Sequence, residues 1–333
     1  MSRGGSFNKI NYYLRPNKQV ERKIMIEIIQ KLNTEISILD YSYIGMGSIY
    51  YYDFILMHKL LGLKKLTSID NKTTPRRFEF NKPYDFISFE NSTTSNYLSR
   101  HQWNRSKNLI WLDYDERFIQ IDYLDTDLSY VCKNSNDLDI LFVSLNSTSP
   151  KFRDRKQFLE SNHRYISQKY NDLKYTDSQM FHLLVQDIVI NKMKYFNLYN
   201  ENKCIKLCSF TYKDSAPMYT LGIIFAKDAS IRSRIELYHS FIDTNEDRVT
   251  QINLPNITYK EKFYLDSKIA YLSKALLKSQ REIESLGITD IKEKEAKLRE
   301  ILDAKIEIEL SPHEIENYLK NYLYFPQYYE GIL

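Results

Sequence analysis

Between residues 41 and 146 the sequence alternates short apolar runs with stretches of helical spacing, and this alternation limits the fold more than any other feature. The apolar runs are YSYIG (41–45), KLTSID (65–70), PYDFISFE (83–90), NLIWLDYD (108–115) and LDILFVSLN (138–146). Continuous apolar runs are typical of strands buried on both faces of a parallel sheet. Their alternation with helices indicates βαβ units, so we predict an α/β fold with five parallel strands.

Two further β-rich runs follow a helical region. NKCIKLCSFTYKD and APMYTLGIIFAKD lie on either side of a short polar turn. They predict an antiparallel hairpin over residues 204–226 that closes the sheet. In the first run, even spacing places Cys204 and Cys208 on one face of the strand, where we expect small core residues rather than a metal pair.

The regions on either side of the predicted sheet differ in character. An N-terminal arm leads into a helix with Asn17 as its expected N-cap, and Thr289 and Ser311 are expected to cap two helices near the C-terminus. The predicted domains are a basic arm and helix (1–34), a Rossmann-like domain (35–227) and a mainly helical extension (228–333).

Composition argues against several classes of protein. The sequence has no run of 18 apolar residues, and its first residues lack the apolar core of a signal peptide, so we expect neither a membrane span nor a leader. The three cysteines are odd in number, which fits a reducing, cytoplasmic location. The six histidines lack the spacing of metal ligands, and we predict no metal site.

Two of the eight glycines, Gly45 and Gly47, lie between the first predicted strand and a helix predicted over 48–63. Glycine allows a ligand to approach the backbone closely, and the start of a helix offers N–H groups. Asp70 ends the next strand, where a carboxylate can accept hydrogen bonds from ribose hydroxyls. Together these features predict a nucleoside cofactor; the alternative is a strand-to-helix turn that needs glycine only for its own geometry.

The glycine pattern also argues against two common nucleotide sites. A dinucleotide fingerprint needs a third glycine where this sequence has Tyr50, and no GK[ST] of a P-loop occurs. Over residues 35–227 the chain resembles the class I S-adenosylmethionine-dependent methyltransferases, and within them a bacterial group of O-methyltransferases. The resemblance lies in NYYLRPNKQVERK, IGMGSIYYYDF, RFEFNKPY and IWLDYD, together with the terminal hairpin.

The resemblance implies a Rossmann-like sheet and S-adenosylmethionine as the cofactor. The implied cofactor-binding residues are Gly45, Gly47 and Ser48 on the methionine and ribose side, Asp70 at the ribose, and Glu90 and Asn91 near the adenine. Many relatives have a glycine two positions after the second one, and here that position is Ile49.

Asp113 and Asp115, at the end of the fourth strand, are the predicted catalytic residues. By the resemblance Asp113 faces the methyl donor or the substrate, and one of the two carboxylates acts as a base. A divalent metal or a solvated loop position are the alternatives for this pair. The sequence at this strand end, LDYDE, has no proline and no Pro-Cys nucleophile occurs, so we do not expect a DNA-base methylase of the usual types.

The N-terminal residues are basic, with seven Lys or Arg against two Asp or Glu in residues 1–31. Cations interleaved with tyrosines are typical of surfaces that hold phosphates and stack bases. The predicted substrate or nucleic-acid binding residues are Arg15, Lys18, Arg22, Lys23 and Arg76. The alternative is a docked arm whose tyrosines pack while its cations stay solvated.

We therefore expect an S-adenosylmethionine-dependent, O-directed methyltransferase whose acceptor the sequence does not name. The alternative is a non-catalytic Rossmann-like subunit of a larger bacterial assembly, with a role in defence as one option. In either case a nucleic acid or a protein is the expected partner, bound through the basic arm or the helical tail.

Overall fold

The computed structural model describes residues 15–71, 74–288, 290–303, 308 and 310–326. Residues 21–251 form one compact unit, and residues 15–20 with the described residues from 252 onward form another. The domain boundaries expected after residues 34 and 227 stay predictions.

The first unit contains the strands and most of the helices. The strands are β1 (Ser42–Met46), β2 (Lys65–Asp70), β3 (Ile87–Asn91), β4 (Asn108–Arg117), β5 (Ile140–Asn146), β6 (Lys203–Lys213), β7 (Pro217–Ala226) and β8 (Thr250–Gln251). The helices of the described residues are α1 (Pro16–Leu32), α2 (Tyr52–Leu61), α3 (Pro75–Phe80), α4 (Thr94–Arg100), α5 (Leu124–Asn134), α6 (Arg155–Asn162), α7 (Phe181–Phe196), α8 (Ile231–Ile235), α9 (Tyr259–Ser285), α10 (Ile291–Asp303) and α11 (Pro312–Asn321).

All eight strands form one sheet in the order β3-β2-β1-β4-β5-β7-β6-β8. Strands β1 to β5 are parallel to their neighbours, whereas β7 is antiparallel to both β5 and β6. The five predicted parallel strands and the terminal hairpin are both confirmed. The short strand β8, which pairs with β6 over two residues, was not predicted.

The two faces of the sheet have different cores. One face presents aliphatic side chains such as Leu112, Val143 and Leu221, which belong to a buried cluster with residues of α5 and α7. Large aromatic side chains, including Tyr43, Trp111 and Phe142, lie on the opposite face and are almost fully buried. Burial on both faces explains why the parallel strands read as continuous apolar runs.

A β-bulge in β6 overturns one detail of the sequence analysis. The register with β7 shifts between Lys206 and Cys208, so Cys204 lies opposite Phe225 and Cys208 lies opposite Gly222. Cys204 packs against the aliphatic cluster, whereas Cys208 faces the aromatic side. The two cysteines therefore lie on opposite faces, because the bulge adds a residue to the strand and reverses its alternation.

The predicted helix ends were right in part. Helix α1 begins at Pro16, so Asn17 is not its N-cap; the Asn17 side-chain oxygen instead accepts a hydrogen bond from the backbone N–H of Leu254 at 3.0 Å. Gly62 ends α2 in the left-handed conformation, as glycine does at many helix ends. Thr289 lies outside the described residues.

The second unit is helical. Its buried cluster joins Leu265 and Leu272 of α9 to Ile315 and Tyr318 of α11. The predicted capping box at Ser311 is confirmed, since its side chain and that of the glutamate three residues later cap each other's backbone N–H groups. None of the helices that the structure describes is long and apolar enough to cross a membrane.

Candidate cofactor and active site

The carboxyl ends of the central strands bring the predicted site residues to one edge of the sheet. Gly45 of β1 lies in register with Ser68 of β2 and with Trp111 of β4. Asp70 ends β2 and pairs with Asn91 at the end of β3. Ligands of open α/β sheets bind in the crevice outside these carboxyl ends, where the strand order reverses about the first strand.

The segment between β1 and α2 is a turn, not the first part of a helix. The helix predicted from residue 48 begins only at Tyr52, and the N–H of Tyr51 bonds to the carbonyl of Ser48 at 3.0 Å. Tyr51 has a φ of 49°, in the left-handed region that costs a side chain about 1–2 kcal/mol. Its buried hydroxyl donates to the carbonyl of Phe78 at 3.1 Å, which holds the turn in place.

The glycine pair in this segment is required by the packing of the protein itself. A Cβ on Gly47 would lie 1.8 Å from Ser68 Oγ, and a Cβ on Gly45 would lie 2.5 Å from the hydroxyl of Tyr43. Neither glycine has a positive φ. Because side chains of β1 and β2 occupy the space beside both residues, the glycines alone do not identify a ligand.

Backbone donors of the turn offer a separate signal. The N–H of Gly47 is used by the carbonyl of Ile69 at 3.1 Å, which continues the pairing with β2. The N–H groups of Ser48 and Ile49 make no hydrogen bond with any part of the chain that the structure describes. Two adjacent N–H groups of this kind can hold an anionic or carbonyl oxygen.

The acidic and amide residues at the ends of β2 and β3 differ in exposure. Asp70 is half-buried, whereas Asn91 is exposed. The Glu90 carboxylate pairs with Arg100 Nη2 at 2.8 Å, and both side chains are accessible to solvent. Exposed pairs contribute less than about 1 kcal/mol, so a ligand can displace this one.

Asp113 lies on the same face of β4 as Gly45 does on β1. This follows from the pairing of Gly45 with Trp111 and from the alternation of side chains along β4. Asp113 is half-buried and lies opposite Ser144 of β5, and Asp115 is exposed. Among the described residues, no cluster of three histidine, cysteine or carboxylate side chains could hold a metal ion.

A buried ion pair lies beside this edge. Arg22 of α1 is 3% exposed, and its Nε donates to Asp53 Oδ1 at 2.5 Å while its guanidinium lies 4.9 Å from the centre of the Tyr52 ring. Burial lowers the pKa of Arg22. Attraction and hydrogen bonding to Asp53, with a smaller contribution from Asp113, together raise it by more than burial lowers it, so the pKa of Arg22 lies above its ordinary value. The guanidinium is therefore permanently charged.

Tyr43 and a chain of hydroxyl groups complete the polar surroundings. Burial, together with the Asp53 and Asp113 carboxylates, raises the pKa of Tyr43 well above its ordinary value, so the phenol stays neutral. On the same face, Trp111 Nε1 donates to Ser144 Oγ at 3.0 Å, and Ser144 Oγ lies 2.7 Å from Thr220 Oγ1, which donates to Glu21. These consecutive hydrogen bonds pair buried polar groups of β4, β5, β7 and α1.

A family model described as "Putative O-methyltransferase" matches residues 10–333. The chain belongs to this family. Taken with the strand order, the membership makes the protein an S-adenosylmethionine-dependent methyltransferase with a class I fold, and its methyl acceptor is not identified. A search of curated proteins found no significant match.

Several solved structures are similar to the methyltransferase. Trm1 from Pyrococcus horikoshii, in complex with S-adenosyl-L-methionine, is 12% identical over 92% of this chain and 82% of its own, with a TM-score of 0.41. The N-methyltransferase NodS from Bradyrhizobium japonicum WM9, in complex with S-adenosyl-L-homocysteine, is 10% identical over 62% of this chain and 87% of its own, with a TM-score of 0.35. The plantazolicin methyltransferase BpumL, in complex with S-adenosylhomocysteine, is 14% identical over 62% of this chain and 85% of its own, with a TM-score of 0.40.

The predicted phosphate-binding residues of the methyltransferase do not form one exposed surface. Lys18 is 2% exposed and Arg22 is 3% exposed, whereas Arg15 and Lys23 are half-buried. Arg76, on α3, is exposed. Binding of a nucleic acid or a protein partner stays a prediction, and residues 1–14 of the basic arm lie outside the described part of the chain.

Neither the partner of Arg22 nor the role of Tyr43 in the methyltransferase was predicted from its sequence. A signal was present in KIMIEII (23–29), which is apolar on almost every side of a helix. Such a helix is buried on more than one face, so a charged residue next to it needs a buried partner. The sequence does not reveal that Asp53 is that partner, because the two residues are 31 positions apart.

Proposed function

We propose that the methyltransferase transfers the methyl group of S-adenosylmethionine to an oxygen atom of its acceptor, with the donor bound at the carboxyl ends of β1, β2 and β4. The observation that carries the proposal is the sheet itself, in which a parallel arrangement ends with the reversed strand β7. Membership of an O-methyltransferase family supports the choice of oxygen over nitrogen or carbon.

The residues at this edge fit the donor. The unused N–H groups of Ser48 and Ile49 can meet oxygen atoms of the donor's amino-acid end. Asp70, half-buried at the end of the neighbouring strand, is placed to accept hydrogen bonds from ribose hydroxyls. Glu90 and Asn91, at the end of the third strand in the same row, would then lie towards the adenine.

When bound, S-adenosylmethionine supplies an electrophilic methyl carbon next to a positively charged sulfur. The protein has two tasks, to align the acceptor oxygen with that carbon and to take its proton. We assign the proton to Asp113, because it is half-buried on the face of the sheet that carries Gly45. Asp115, exposed two residues further along β4, would contact the acceptor at the mouth of the site.

Calorimetric titration with S-adenosylhomocysteine tests the donor site. Saturable binding of one molecule per chain is expected. Transfer of tritium from methyl-labelled S-adenosylmethionine to a panel of phenols, alcohols and carboxylic acids then tests the reaction, with Asp113→Asn as the inactive control. Absence of binding at millimolar ligand would refute the proposal, and transfer that occurs only to amines would refute the choice of oxygen.

A cytoplasmic location also remains a proposal. It is supported by the three cysteines, all of which are free thiols. Fractionation of cells that express a tagged chain tests it, and recovery outside the cytoplasm would contradict it.

A further inference from the structure

The guanidinium of Arg22 is only partly used by the protein. Its Nε and Nη2 both face Asp53, at 2.5 and 3.5 Å, while Nη1 is buried and has no hydrogen-bond partner in the described chain. Buried N–H donors are nearly always paired, and an unpaired donor on a charged group is costly. An unused donor of this kind indicates a ligand oxygen.

The planarity of the guanidinium fixes where that oxygen would lie. Nε and Nη2 form the fork that Asp53 occupies, so Nη1 points away from Asp53 in the same plane. Contact with the Tyr52 ring further limits rotation of the group. The protein thus holds the open donor in one orientation before any ligand binds.

The surrounding charges select the kind of anion. Asp53, Asp113 and Glu21 all act on the Arg22 charge, so three carboxylates are already close enough to balance it. A phosphate would bring up to two more negative charges into this region and would be repelled. A single carboxylate that carries its own ammonium group is tolerated, because its net charge is zero.

The position of the ion pair points to the methyl donor. Asp53 and Tyr52 form the first turn of α2, directly after the turn whose Ser48 and Ile49 N–H groups are unused. Resting on the function proposed above, we propose that Arg22 binds the carboxylate of the donor's methionine portion through Nη1. The side chain predicted from sequence to hold nucleic-acid phosphate would then serve the cofactor.

The test compares ligands that differ at the carboxylate. Calorimetry gives dissociation constants of S-adenosylhomocysteine, of its carboxamide analogue and of 5′-methylthioadenosine, which lacks the amino-acid end. For the wild-type protein, we expect the carboxamide to bind about 10- to 100-fold more weakly than S-adenosylhomocysteine, as for loss of one hydrogen bond between charged groups. Equal affinities would overturn the inference without any variant.

Two variants then assign the effect to Arg22. Arg22→Met and Arg22→Lys should each weaken the binding of S-adenosylhomocysteine by about 10- to 100-fold and leave the affinity for 5′-methylthioadenosine unchanged. Arg22→Lys keeps a charge for Asp53 and protects the fold if Arg22→Met unfolds. The matched control is Lys206→Met, which removes a buried cation that donates hydrogen bonds to the carbonyls of Asn245 and Arg248. It should change the affinity for neither ligand.

The outcomes separate the inference from the proposed function. If the Arg22 variants weaken both ligands equally, or neither, Arg22 is structural and the inference is wrong while the function stands. If the wild-type protein binds none of the three ligands, both are wrong.

Discussion

Replacement of Gly47 by alanine tests why this chain has glycine at the turn after β1. The added Cβ would lie 1.8 Å from Ser68 Oγ and 3.2 Å from Ser68 Cβ, against about 3.5 Å or more for an unstrained contact. Ser68 is fully buried, so its hydroxyl has little room to turn aside. Overpacking of this kind costs about 1–3 kcal/mol.

The cost should appear as a lower melting temperature. For a unit of this size, each kcal/mol corresponds to about 2–4 °C, so Gly47→Ala should melt about 2–12 °C below the wild type. Ser68→Ala removes the atom at 1.8 Å and leaves the 3.2 Å contact with Cβ of residue 68 and an ordinary 3.8 Å contact with Phe54. The double variant should therefore recover most of the loss, with a coupling of about 1–2 kcal/mol.

Differential scanning calorimetry of the four proteins completes this double-mutant cycle, and titration with S-adenosylhomocysteine accompanies it. If Gly47→Ala has the melting temperature of the wild type but no longer binds S-adenosylhomocysteine, the glycine is required by the cofactor and the packing explanation is refuted. If the double variant is no more stable than Gly47→Ala, Ser68 is not the cause.

Three further predictions follow from other parts of the molecule. Asp70→Asn should weaken S-adenosylhomocysteine by about 10- to 100-fold, as for one charge-assisted hydrogen bond, with an unchanged melting temperature; calorimetry with normal affinity would contradict the ribose role. Burial raises the pKa of Asp139 to about 6 from 3.8. Between these two pH values the folded state holds a proton on Asp139 that the unfolded state has released. The contribution of Asp139 to the free energy of unfolding, about 3 kcal/mol, should therefore be lost as pH rises from 4 to 6. Urea unfolding at several pH values checks this sign, and the wild-type stability minus that of Asp139→Asn should fall over that range. Ser311→Ala should destabilise α11 by about 1 kcal/mol, seen as faster hydrogen exchange of its first turn; Lys320→Ala at the far end is the control, and equal exchange would show that the cap contributes nothing.

The strands of the parallel sheet and the terminal hairpin were predictable because their signal is local. A strand buried on both faces needs a continuous apolar run, and the runs at 108–115 and 138–146 became β4 and β5. The capping box at Ser311 is equally local, since its two partners are three residues apart. Asp70 could be placed at the edge of the sheet by the same logic, because a residue that ends a parallel strand lies at the carboxyl edge. Asp113 was expected to end its strand as well, but β4 continues to Arg117, and Asp113 is where its regular pairing with β5 stops.

Other features depended on contacts between distant segments. The bulge that separates Cys204 from Cys208 exists only through the register of β6 with β7, so even spacing predicted the wrong face. Tyr51 combines a left-handed φ with a hydrogen bond from its hydroxyl to Phe78, 27 residues away.

The site shows the same difference between local signals in the sequence and contacts between distant segments. From the sequence, Arg22 was one of several cations near the N-terminus, and an exposed cation binds phosphate well. The tertiary structure buries it against Asp53 and leaves one donor unused, which changes the ligand it suits. Residue types and local periodicity therefore determined the sheet and its functional edge. Only packing decided which charges became buried, because burial and pairing depend on residues far apart in the chain.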